Sequence, residues 1–169
     1  MAINIRGRCF LAAVLLVLSA SVFPCRFHAG GESADGPILP GSSDIVLQSY
    51  LAQQTGEMEQ LERLDGMPGY RRASWWLTLL SRQLEEKGLT NLYVVIVDAQ
   101  MWSKVGASMQ MSMELDIAIP EDRTNTLMLS EAALGALASQ TLNFEQALDL
   151  RVMQIHQDRN RLAERLRKG

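Results

Sequence analysis

Cysteine is nearly absent from this 169-residue chain, with Cys9 and Cys25 the only two, and histidine is equally scarce, with His28 and His156 alone. No cysteine or histidine pair has metal-ligand spacing, so no metal site and no metal cofactor are expected. The chain also lacks a Gly-x-Ser-x-Gly elbow, a phosphate-binding glycine loop and a dinucleotide fingerprint. His156 lies near Asp158, but an isolated histidine beside an aspartate is ordinarily structural. Asp98 reads as the stop of a strand rather than as an acid with a partner. Glu114 and Asp116 fall on the strand face expected to be wet. No catalytic constellation emerges, no catalytic residue is assigned, and the expectation is a non-enzymatic protein. Basic residues are not in excess either, with 16 Lys and Arg against 19 Asp and Glu, which argues against a bulk nucleic-acid binder.

The amino terminus has the layout of a secretory signal, since Arg6 and Arg8 precede an uncharged apolar run from Cys9 to Phe23. That run is short for a bilayer span. Ser19 and Ser21 fit the small-residue positions of a cleavage site, giving a signal over residues 1–21, with an uncleaved anchor as the alternative. Cleavage removes two of the 16 basic residues and none of the 19 acidic ones, leaving 14 against 19, or −5. Only Cys25 then survives, so no internal disulfide is expected. The implied location is exported, periplasmic or secreted. Residues 22–43, with Gly30, Gly31, Gly36, Pro37, Pro40 and Gly41, have the composition of a flexible linker.

The remaining residues, 44–169, suit one domain with 47% hydrophobic and 21% charged residues overall. The most regular stretch is Met109 to Ile119, where Met109, Met111, Met113, Leu115, Ile117 and Ile119 alternate with Gln110, Ser112, Glu114, Asp116 and Ala118. Period-2 alternation predicts an extended strand with its six apolar side chains on one buried face. Leu92 to Val97, a continuous β-branched run, predicts a central strand buried on both faces. Asp98 to Gly106, carrying Trp102, reads as a turn. Asn125 to Leu129 predicts a third strand in a hairpin with the second, so that these three form an antiparallel meander. Arg151 to His156 predicts a fourth strand.

Helices are expected on both sides of this block. Ser42 or Ser43 caps the first, which turns Leu47, Tyr50, Leu51, Met58 and Leu61 inward up to Asp65 and is weakened by Gly56. The second runs from about Tyr70 to Lys87 on the stripe Ala73, Trp76, Leu77, Leu80 and Leu84, with Trp75 and Leu79 alongside. Ser130 caps a helix over Glu131 to Ser139, Asn143 caps a short one, and Asp158 or Asn160 opens the last, with Leu162 and Leu166 inward. The fold class is α+β, a single domain with a mostly antiparallel four- to five-stranded sheet covered by helices on one face.

The run Asn125-Thr-Leu-Met-Leu-Ser130, followed by Glu131-Ala-Ala-Leu-Gly-Ala-Leu-Ala138, Leu142-Asn-Phe-Glu-Gln-Ala-Leu148 and Val152-Met-Gln-Ile-His156 with Asp158, resembles the sterol-carrier-protein family. The chain departs from that family at Leu150, Gln157 and Ser139-Gln140-Thr141, where glycines are usual. The resemblance implies a lipid-binding domain with an apolar tunnel between sheet and helices. Methionines suit such a lining because they repack around varied guests. The expected lining is Trp76, Met109, Met111, Met113, Leu115 and Leu134, and the partner an apolar small molecule or lipid. The competing expectation is an envelope protein-interaction or assembly subunit with a filled core. The tail residues Arg151, Arg159, Arg161, Arg165, Arg167 and Lys168 are basic where the first helix is acidic. They suit anionic headgroups or a solvated face paired with that helix. Membrane contact is expected only through an uncleaved signal or this tail.

Overall fold

The computed structural model describes residues 39–108 and 111–168; the side chains of residues 107, 108, 111 and 112 lie outside that description. The helices are α1 (Ser42–Thr55), α2 (Gly66–Glu86), α3 (Glu131–Ala138), α4 (Phe144–Asp149) and α5 (Leu162–Arg167). The strands are β1 (Leu92–Ile96), β2 (Met101–Ser108), β3 (Met111–Glu114), β4 (Thr126–Leu129) and β5 (Met153–His156). They form one mixed sheet in the order β3-β2-β1-β4-β5, with every pairing antiparallel except β1 with β4. The α+β class and the mostly antiparallel sheet are therefore as the patterning indicated.

The β-branched run does form the central strand, with neighbours on both edges and side chains buried on both faces. Val94 and Ile96 point to the main core, while Val95 points the other way. The main core lies between the sheet and helices α2 to α5. It gathers Leu77, Leu80 and Leu84 from α2, Leu134 and Leu137 from α3, Phe144 from α4 and Leu162 from α5 against Met101, Leu127, Leu129 and Met153. On the opposite face a thinner cluster joins Val95, Trp102 and Met128 to Leu39 and to Ile45 at the start of α1.

Two expectations about the strands are corrected. Asp98 to Gly106 is not simply a turn, because Met101 onwards belongs to β2, and Trp102 stands opposite Val95 in the ladder. The long strand from Met109 to Ile119 is cut short as well: Met109 and Gln110 lie outside the described residues, and β3 ends at Glu114. Asp116 then adopts a left-handed φ of 52°. An extended strand cannot continue through that conformation, so the alternation loses its meaning there. Met113 and Leu115 pack on the main core, whereas Ile117 and Ile119 pack on the opposite cluster. The Ile117 N–H donates to the Trp102 carbonyl at 2.9 Å, pinning the departing chain to β2.

The three-strand meander is also corrected. β2 already has β1 and β3 as its two neighbours, so β4 cannot close a hairpin on this edge and instead joins the far side of β1 in parallel. The register Val94 to Leu127 and Ile96 to Leu129 aligns two apolar runs, and β5 completes that edge with Met153 opposite Leu129.

The helix boundaries follow local chemistry. Gly56 ends α1 at φ 80°, rather than weakening its interior, so the helix stops ten residues before the expected Asp65. The Ser130 hydroxyl accepts the Ala133 N–H at 3.0 Å, and Asn143 forms a reciprocal capping box with Gln146. Asp158 accepts from the N–H groups of both Leu162 and Ala163 at the start of α5.

Candidate functional site

The expected apolar lining divides among several environments. Leu134 is wholly buried in the main core. Trp76 is half-buried on α2, and its ring fits so closely over Gly135 of α3 that a Cβ there would lie 3.0 Å from it. Glycine thus permits the two helices to approach around the indole. Met113 and Leu115 are half-buried against the main core at the β3 edge, where α2 packs. Met111 lies on β3 with its side chain outside the described residues, as is the whole of Met109. The fold thus brings Trp76 and Leu134 to the α2–α3 side and Met113 and Leu115 to the sheet edge beside α2.

A second surface is set by the rotation of α1 about its own axis. Ile45, Ser49 and Ala52 face inward, while Val46, Leu47, Tyr50 and Leu51 are 43%, 53%, 57% and 44% exposed. Leu47, Tyr50 and Leu51 therefore do not point to the core as their periodicity indicated. The inward face is narrow and mostly small, which lets α1 lie close to the end of β4. Ser49 donates to the Ser130 hydroxyl at 2.7 Å, and Gln154 of β5 donates to Asp44 at 2.8 Å. These two polar contacts fix the rotation, because Ser49 and Asp44 cannot reach their partners with the larger apolar face turned inward. The doublets Val46-Leu47 and Tyr50-Leu51 were the available signal: with Ile45 and Ala52 they give the helix apolar residues on nearly every side, so apolar spacing alone does not choose a face.

A polar cluster ties the start of α3 to α2 and β1. Arg72 donates from Nε and Nη2 to one oxygen of Glu131 at 3.2 and 2.8 Å, with its guanidinium 5.1 Å from the Trp76 ring centre. The Glu131 side chain is 3% exposed and that of Arg72 17%. Asp98 accepts the Glu131 N–H at 2.9 Å, so its place after β1 serves to cap a helix. Asp158 turns both carboxylate oxygens to α5 amides, accepting the Leu162 and Ala163 N–H groups at 2.6 and 3.1 Å, so its place beside His156 serves to cap that helix. Among the described residues no group of three or more His, Cys, Asp or Glu side chains could hold a metal ion.

The basic tail does not pair with α1. Arg167 contacts Asp149 and Glu145 at 2.7 and 3.8 Å, and Arg161 and Lys168 both contact Glu164. Hydrogen bonding and proximity to Asp149 raise the pKa of Arg167 above its ordinary value. No helix of the described residues is long and apolar enough to cross a membrane.

A cleft of about 400 Å³ opens beside the entry to β1, between the segment from Leu89 to Tyr93, Lys104 of β2, the turn from Asp122 to Asn125, and Asn160 to Arg165. Gly106 makes its wall possible. It has φ +65°, and a Cβ there would lie 2.9 Å from Thr90 and 3.0 Å from the Asn91 backbone nitrogen. On the cleft's rim the Asp122 carboxylate accepts the Thr124 N–H at 2.9 Å. That bond, with the Thr124 side chain and the charge of Arg159, holds Asp122 below the ordinary carboxylate value. Trp76, Met113, Leu115 and Leu134, the expected lining residues whose side chains are described, do not border this cleft. No family model, no curated protein and no solved structure matches the chain.

Proposed function

We propose that this is an exported, non-enzymatic interaction subunit of the cell envelope, and that the outer face of α1 docks a protein partner. The exposed set Val46, Leu47, Tyr50 and Leu51 carries this reading. Four large apolar side chains on one side of a helix whose other side is anchored make a preformed ridge, the geometry of helix-in-groove recognition. The exposed acidic residues Glu57, Glu59 and Glu62 follow directly after the helix, so the complementary partner presents an apolar groove with a basic rim. Export rests on Arg6 and Arg8 ahead of the Cys9 to Phe23 run.

Photo-crosslinking in cells, with the reactive residue at Leu47 or Tyr50 and controls at Arg82 and Glu86, tests the proposal. One discrete heterologous adduct from the α1 positions, lost in Leu51→Glu, supports it. Adducts of a second copy alone, or none from α1, refute it. Sequencing the amino terminus of the mature protein tests export.

A second reading is favoured by Trp76, Met113 and Leu115, which keep apolar surface uncovered. Together with the sterol-carrier resemblance, this supports binding of a lipid-like ligand beside α2 and β3. Native mass spectrometry of the purified protein and melting across a panel of fatty acids and sterols test it. A ligand-free mass with no rise in melting temperature removes it.

A further inference from the structure

We propose that the cleft beside the entry to β1 binds a small hydroxylated organic anion of sugar-acid size, independently of α1. Its volume, about 400 Å³, falls within the range of small-molecule sites, roughly 300 to 1,000 Å³. Two cations line it, Lys104 and Arg165. Among the described residues neither is ion-paired with a carboxylate. Glu114 stands across from Lys104 in the β2–β3 ladder, yet the Lys104 ammonium lies over the Tyr93 ring, 5.5 Å from its centre. Arg165 donates to the Gly88 carbonyl at 3.0 Å through one nitrogen, which leaves its other N–H groups for a ligand. Paired cations that remain unneutralised in one concavity raise the local concentration of anions.

The rest of the wall selects among anions. Thr90 and the amides of Asn91, Asn125 and Asn160 offer hydroxyl and amide groups suited to ligand hydroxyls. Asn125 is held rigidly, because its side-chain oxygen accepts from the Arg159 and Asn160 N–H groups at 2.8 and 3.0 Å. Its amide N–H groups therefore have a fixed direction before any ligand arrives. Asp122, also in the lining, repels an anion placed beside it, so the acidic group of the ligand is favoured at Lys104 and Arg165. A carboxylate and a phosphate ester share this chemistry.

The test is a two-dimensional amide NMR titration of the folded protein with glucuronate, glucose 6-phosphate, inorganic phosphate and glucose. Saturable shifts confined to the segments around Thr90, Asn125 and Asn160, with glucuronate or glucose 6-phosphate but not glucose, are expected; which anion binds tighter separates the carboxylate from the phosphate. Lys104→Gln and Arg165→Gln should each weaken binding about tenfold, while Arg165→Lys retains most of it. The proposal is overturned by no saturable shift at about 10 mM of either organic anion, a level that would reveal a Kd near 1 mM. It is equally overturned by glucose binding as well as the acids, by inorganic phosphate matching glucose 6-phosphate, or by unchanged affinity in both glutamine variants.

Discussion

Removing the Glu131 carboxylate should be among the most damaging single changes available in this fold. Glu131→Ala leaves Arg72, only 17% exposed, without the acceptor that takes two of its N–H groups. Breaking a fully buried pair costs about 3–5 kcal/mol, and the remaining access of Arg72 to water lowers that to about 2–3 kcal/mol. Loss of an acidic side chain from the first turn of α3 adds about 0.3–1 kcal/mol. The sum, about 3 kcal/mol, corresponds to a fall in Tm of about 10 °C for a domain of this size. The assay is a double-mutant cycle by urea unfolding with Glu131→Ala, Arg72→Ala and the pair. Coupling of at least about 1.5 kcal/mol is expected, with an unchanged denaturant slope. A coupling below about 0.5 kcal/mol, the value of an exposed pair, would refute the claim that this contact ties α2 to α3.

Gly106→Ala should destabilise the domain by about 2–4 kcal/mol, combining a left-handed backbone with a Cβ 3.0 Å from the Asn91 nitrogen; melting within about 1 °C of wild type would contradict the close approach. Asp122, held low by the Thr124 N–H, should titrate by carboxyl NMR below 3.8. Because its folded value is depressed, its contribution to stability is fully present above 3.8 and is lost as pH falls through the lower folded value; a midpoint at or above 3.8 contradicts the hydrogen bond.

Much of the scaffold was legible because its signals are local. A continuous apolar run of six residues, four of them β-branched, cannot be half-solvated cheaply, so Leu92 to Val97 announces a central strand before any partner is known. Ser130 and Asn143 carry their capping chemistry within three residues, and the α2 stripe needs only helical spacing. Sites were less legible. Trp76, Met113 and Leu115 could be named from patterning, but their degree of cover depends on α3 and on the β3 edge. Lys104 and Arg165, 61 positions apart, gave no joint signal, nor did the acceptor that Asp98 supplies to Glu131.

The sequence by itself determined the α+β class, the central strand and the helix caps, because each rests on side chains a few positions apart. Only the tertiary structure decided how the strands are ordered, where the alternation of Met113 to Ile119 breaks, and which face of α1 meets solvent. Strand order depends on which edges are already occupied, and β2 had no edge left for β4. The break depends on one left-handed residue, Asp116, which alternation of apolar side chains does not encode. The rotation of α1 depends on hydrogen bonds from Ser49 to Ser130, 81 residues away, and from Gln154 to Asp44, 110 residues apart. Apolar residues nearly encircle that helix, so hydrophobicity left its facing undecided and the two polar contacts, one buried and one part-buried, chose it.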